Sequence, residues 1–272
     1  MRLGRNLIIQ LCIVVVVLLR CVLVFSDTAG FLKNEINQIV VGFAKPELIR
    51  SDLWQIYLSE VNDLNSEQIR VLNNRTIAGI QEQKIEIFNN TKRVVMAPSS
   101  VLNSILDFTQ NHPLFGVQQA DYERQGTALG YCFGRATFLH LLFLRLGLQK
   151  ESIQKIWVLG HIKNDRRDGF WQFHVATMVY TDQRDWVVLD ANIGYPLSAR
   201  DWVQYYEQAN PDGKLRFYYT SASKFGPSLG QYNRLQLGLD MAMDQDWYKH
   251  YFVDMMTYFK NTSLTQMGLS HF

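Results

Sequence analysis

The sequence has little cysteine and almost no net charge. It holds 3 cysteines in 272 residues. Two of them, Cys12 and Cys21, fall inside the first apolar run, so Cys132 stands alone in everything that follows. Once that run is removed, no intrachain disulfide can form, and stability must come from a buried core. The 27 basic and 25 acidic residues leave a formal net charge of +2. No long run of like charge occurs, so nothing points to nucleic acid or to an acidic partner. Histidine, aspartate and the one late cysteine show no metal-ligand spacing, so neither a metal nor another cofactor is expected. Internal repeats and low-complexity segments are missing too.

What is present is globular in class. At 47 % hydrophobic and 19 % charged residues, the chain can bury a real core in one or two domains. The aromatic fraction of 13 % fills cores more often than it marks a binding surface.

The N-terminus carries a pattern of its own. Arg2 and Arg5 precede an apolar run from Leu7 to Phe25, followed by the small and polar Ser26-Asp27-Thr28-Ala29-Gly30. This is the layout of a secretory signal peptide, with cleavage expected after Ser26 and export to the periplasm or beyond the cell. The rival is an uncleaved membrane anchor, since the run approaches a spanning length. Gln10 and Arg20 interrupt it, and Arg20 is costly in lipid. No membrane association is expected after cleavage. Leu18-Leu19-Arg20 puts no small residue before Cys21, so Cys21 is not expected to be acylated.

Along the chain, Ser51-Asp52 reads as a cap before the helical spacing of Leu53, Trp54, Tyr57, Leu58 and Val61. Asn65-Ser66-Glu67 starts a short helix that Asn73-Asn74 is expected to break. Ile77 to Phe88 fits strand or helix, and Arg93 to Ala97 fits a short strand. Pro98-Ser99-Ser100 opens a helix through Phe108, ended by Asn111-His112-Pro113. Residues 114 to 130 read as a loop. From Cys132 to Leu146 the pattern is helical and apolar on most sides, and Gly147 is a good C-cap. Ile153 to Ile162, Phe173 to Tyr180 and Asp185 to Asp190 follow as strands, joined by turns at 164–169 and 181–184 as in an antiparallel meander. A helix from Ala199, a strand over Leu215 to Thr220 and one or two helices between Gln231 and Lys260 complete the reading. The fold class is α+β, with a helix packed on an antiparallel sheet and flanking helices.

Cys132 is the residue around which chemistry can be assembled. Taken alone, a free cysteine is more often a buried bystander than a reagent. Its place changes that weighting. Gly130-Tyr131-Cys132 leads directly into the apolar helix, and a thiol at a helix N-terminus lies at the positive end of the macrodipole, which favours thiolate. A nucleophilic thiol needs a histidine to exchange its proton, a carboxylate to orient that histidine and donors for an oxyanion. His174 begins the second strand and Asp190 ends the third. Antiparallel pairing brings the start of one beside the end of the other. Singly, His174 fits a structural role and Asp190 a turn. Their order and strand placement favour a Cys132, His174, Asp190 triad.

Four stretches then coincide with a known family. Cys132-Phe133-Gly134-Arg135-Ala136, Trp157-Val158-Leu159-Gly160, Trp171-Gln172-Phe173-His174-Val175-Ala176 and Val188-Leu189-Asp190 resemble, in order, the motifs of the protein-glutamine glutaminases. These are secreted bacterial deamidases with a transglutaminase-like, papain-related core. The resemblance covers roughly residues 125 to 205. It implies that Cys132 is the nucleophile, His174 the base and Asp190 its orienting residue, in an enzyme that converts glutamine side chains of substrate proteins to glutamate. It also implies that part of 27–120 is a removable pro-region, unless that mostly helical segment is a folded subdomain. Residues 1–26 are then the signal peptide and 121–272 the catalytic domain. The backbone N–H of Cys132, and Gln118, Gln119 or Gln125 of the preceding loop, are candidate oxyanion donors. Trp157 and Trp171 are candidate walls of the acyl site. The same triad would also serve a transglutaminase or a cysteine protease. A non-catalytic binding domain of the same fold is the remaining alternative.

Overall fold

In a computed structural model of the chain, residues 46–90, 96–117, 132–163, 170–210, 214–230 and 251–269 are described. The expected signal peptide at 1–26, the glutamines of the 118–131 segment, the turns at 164–169 and 211–213, and the expected helix over 231–250 lie outside them.

The described elements run in the order α1 (Pro46–Val61), α2 (Ser66–Asn90), a 3-10 turn (Ser99–Val101) leading into α3 (Leu102–Gln110), α4 (Cys132–Arg145), β1 (Ile153–Lys163), β2 (Phe170–Tyr180), β3 (Trp186–Leu189), β4 (Leu197–Ser198), α5 (Ala199–Ala209), β5 (Arg216–Ser221) and α6 (Tyr251–Asn261). The strands form one sheet in the order β4-β3-β2-β1-β5, with all of these pairings antiparallel. The class is therefore α+β.

Two-residue alternation sorts the strands onto two apolar faces. Ile153, Trp157, Leu159, Val175, Val179 and Leu189 pack into one core with α4, α1, α3 and α6. Ile156, Val158, Ala176, Met178, Tyr180 and Val188 pack into a second core with α5 and with Ile77 and Ile80 of α2. Helix α4 is buried from Cys132 through Leu144. Its end is a Schellman cap: Leu148 N–H reaches the Phe143 carbonyl and Gly147 N–H the Leu144 carbonyl, with Gly147 at φ +93°. Helix α6 presses so close to α4 that a Cβ at Gly134 would sit 2.6 Å from Tyr251 Cε1.

Two helices run further than the sequence pattern suggests. Helix α1 begins at Pro46, with proline at a first-turn position it suits, so Ser51 and Asp52 lie inside the helix. Helix α2 continues through Asn73-Asn74 to Asn90. The buried Asn73 amide donates to the Leu215 carbonyl at 2.9 Å and accepts the Phe217 N–H at 3.1 Å. Contacts to the neighbouring strand thus override a weak local helix propensity. The N-terminus of α2 is closed by a reciprocal box, Gln68 N–H to Asn65 Oδ1 and Asn65 N–H to Gln68 Oε1, each at 2.9 Å.

Candidate active site

The site exists because β3 is short. It ends at Leu189, opposite Thr177, while β2 runs on past it from Ala176 back to Phe170. Beyond that end, residues of α4, of β2 and of the end of β3 with the turn after it line one small pocket. Its lining includes Cys132, Arg135, His174, Val175, Asp190 and Ala191. Cys132 is the first residue of α4 and is 6 % exposed. His174 lies on β2 and Asp190 is the first residue after β3. The three residues singled out in the sequence are thus brought to one place.

The strand register explains how. Continuing the β2–β3 pairing puts Asp190 across from Ala176, so His174 is its diagonal neighbour on the same face. The side chains close the gap: His174 Nε2 and Asp190 Oδ2 are 2.7 Å apart. Asp190 also accepts Trp202 Nε1–H at 2.9 Å and Tyr206 O–H at 3.2 Å on Oδ2, and the Asn192 N–H at 3.0 Å on Oδ1. Trp202 and Tyr206 are one turn apart on α5, so a single helix face supplies both donors. The same two rings flank His174, at 6.2 Å and 5.4 Å between centroids, and Trp171 stacks on it at 5.5 Å and 22°. Arg135 Nη2 donates to Asn192 Oδ1 at 3.0 Å, which ties α4 to the loop after Asp190.

The electrostatics follow from this packing. Burial opposes charge on His174, but the Asp190 carboxylate and its hydrogen bond, followed by the Cys132 thiol, outweigh it and raise the ring to about 9. Burial would raise Asp190. The His174 charge and the bonds from His174, Trp202 and Asn192 overcome it, so the carboxyl lies below its usual range. Burial, with Asp190 beside it, pushes the Tyr206 phenol well above its ordinary value, which keeps it a neutral donor. Nε2 is taken by Asp190. Nδ1 is buried with no hydrogen-bond partner, and the Cys132 thiol acts electrostatically on the same imidazole.

Two supports were hidden from sequence reasoning. Trp202 and Tyr206 looked like ordinary apolar positions of a helix. Their i, i+4 spacing, with one polar atom on each ring, was the available signal. Trp157 is not a wall of the pocket. It is fully buried, and its indole N–H donates to Thr220 Oγ1 at 3.0 Å. Trp171, by contrast, is half-buried against His174. Among the described residues, no group of three or more His, Cys, Asp or Glu side chains is placed to hold a metal ion, and no helix is long and apolar enough to cross a membrane.

No protein-family model matches the chain, and no curated protein matches it. Solved structures do show a likeness. A crystal structure of protein-glutaminase is similar at a TM-score of 0.40 and 12 % identity, over 61 % of this chain and 89 % of that one. The protein-glutaminase of Chryseobacterium proteolyticum, solved by NMR, is similar at 0.38 and 14 %, over 65 % and 92 %. A crystal structure of a pro-protein-glutaminase is similar at 0.39 and 13 %, over 67 % and 63 %. The likeness is distant, and the function is argued from the site itself.

Proposed function

We propose that the protein is an exported, thiol-dependent deamidase that converts glutamine side chains of substrate proteins to glutamate. The observation that carries this is the buried 2.7 Å His174–Asp190 contact in the same pocket as a thiol at a helix start. The motif resemblance to the protein-glutamine glutaminases supplies the substrate.

A ring raised to about 9 carries both protons at neutral pH. Asp190 holds Nε2–H, so Nδ1 is the atom that exchanges a proton with the Cys132 sulfur, and imidazolium with thiolate is the reacting pair. The thiolate adds to the amide carbon, forming a C–S bond. The oxyanion is met by the backbone N–H of Cys132 at the positive end of α4. His174 gives its Nδ1 proton to the departing nitrogen, the C–N bond breaks and ammonia leaves. The neutral ring next takes a proton from water, whose oxygen attacks the thioester. The C–S bond breaks and glutamate leaves with the thiolate restored.

The test is ammonia release from a protein substrate, with and without an added primary amine. Release without amine incorporation supports the deamidase. Amine incorporation points to a transglutaminase, and new N-termini to a protease. Release that persists unchanged in Cys132→Ala overturns the catalytic role of the thiol.

A further inference from the structure

One buried charged group plays no part in the chemistry above. Lys155 is the third residue of β1 and is 0 % exposed. Its neighbours two residues away, Ile153 and Trp157, belong to the α4-side core. Its Nζ lies 4.2 Å from the centroid of the Phe133 ring, 3.4 Å from Thr137 Oγ1 and 3.5 Å from the Lys224 carbonyl oxygen. Phe133 and Thr137 are on the opening turns of the helix that begins with Cys132. An ammonium group is costly to place in such a site, and a lysine is rarely fully buried. A fully buried lysine amine against the first turns of the nucleophile's helix is therefore unusual for packing alone.

We propose that Lys155 is a positioning residue for the nucleophile: its amine, held between β1 and the first turns of α4, places a positive charge on the core side of Cys132 while His174 supplies one on the pocket side. This rests on Cys132 being the nucleophile. Full burial keeps Lys155 from touching substrate, so it acts through the sulfur.

The surrounding groups fit that role. Burial pushes the Lys155 amine well below the usual lysine range, and charge on Cys132 draws it back up. His140, the other titratable group of α4 within its influence, is lowered to about 3 by burial and then by Lys155, and stays neutral. On the flanking strands the paired residues are the uncharged Thr177 and Thr220. The loop after β5 presents a Lys224 carbonyl rather than its ammonium. Arg135, also on the first turns of α4, is turned to Asn192. His174 is on the other face of β2, paired with Asp190.

The experiment is the rate of Cys132 carbamidomethylation by iodoacetamide as a function of pH. It is run on the parent, Lys155→Met, Lys155→Arg, His174→Ala and the denatured chain, with near-UV circular dichroism confirming the fold. The parent should react faster than the denatured thiol on the acid side of neutrality. Lys155→Met should lose about tenfold of that rate, the factor that one unit of displacement gives. Lys155→Arg should retain most of it. A Lys155→Met profile that overlays an activated parent overturns this inference and leaves the role of Cys132 standing. A parent profile matching the denatured thiol overturns both. If Lys155→Met does not fold, the parent alone suffices. NMR of lysine-labelled protein should show Lys155 losing its proton at lower pH once Cys132 is capped, and an unmoved titration overturns the proposal.

Discussion

Along β5, helices α1 and α2 meet the sheet through polar groups that are closed one against another. Tyr57 O–H donates to the Lys214 carbonyl at 2.7 Å, and Asn73 spends its amide on two backbone groups of the strand. Thr76 Oγ1 donates to the Phe217 carbonyl at 3.1 Å while accepting Arg216 Nη1–H at 2.8 Å, and Arg216 Nε pairs with Glu60 at 3.1 Å. At the end of β3 the arrangement is different. Asp190 is saturated by four donors, and this fixes the imidazole, yet Nδ1 of that imidazole has no hydrogen-bond partner. Both regions are polar, buried and built where a helix meets a strand. In the first, every named contact ends on a structural partner. In the second, one side of the ring is held by Asp190 and the other is left without a hydrogen-bond partner.

The largest effects should come from the open side. Cys132→Ala and His174→Ala should each lower kcat/KM for ammonia release by about 10⁴-fold or more, since these groups act as a unit. Asp190→Asn keeps the shape but removes the charge that orients and raises the ring, and should cost about 10²- to 10⁴-fold. Trp202→Phe removes one donor to Asp190 and should lower kcat by about tenfold through a mispositioned carboxylate, judged by steady-state kinetics on folded protein. Activity that survives Asp190→Asn would erase the contrast between the two regions.

The pH dependence of stability sharpens it. His174 is raised from 6.5 to about 9 in the folded chain. Its contribution is therefore complete below the unfolded value of 6.5 and is lost as pH rises through about 9. Integrated, it is on the order of 3 kcal/mol. Denaturant titrations across that window should show the parent weakening relative to His174→Phe, and parallel curves would contradict the assignment. Asn73→Leu at the closed seam should cost about 1–3 kcal/mol of unfolding free energy by stranding backbone groups of β5, while kcat per folded molecule stays within about twofold. A collapse of kcat in that variant would mean that the seam also serves the chemistry.

Much of this was readable in the sequence because it is local. The 3.6-residue period and Gly147 mark α4, and three β-rich runs with a polar turn at 181–184 mark β1 to β3. That turn closes with Arg184 at φ 61° and the Thr181 N–H on the Asp185 carbonyl. Long-range pairing was not readable. Nothing local tells Arg216–Ser221 to add beside β1, on the side away from β2, and without that strand Asn73 has no reason to sit inside a helix. Candidate site residues surfaced because cysteine, histidine and aspartate are scarce or chemically distinct. Trp202, Tyr206 and Lys155 did not, because their roles depend on which atoms they face.

The most direct measurement is peptide mapping by mass spectrometry of a glutamine-rich protein incubated with this one in oxygen-labelled water. The account predicts glutamines converted to glutamates that each carry one solvent oxygen, with none formed by Cys132→Ala. Intact glutamines after prolonged incubation, or equal conversion by Cys132→Ala, would contradict it.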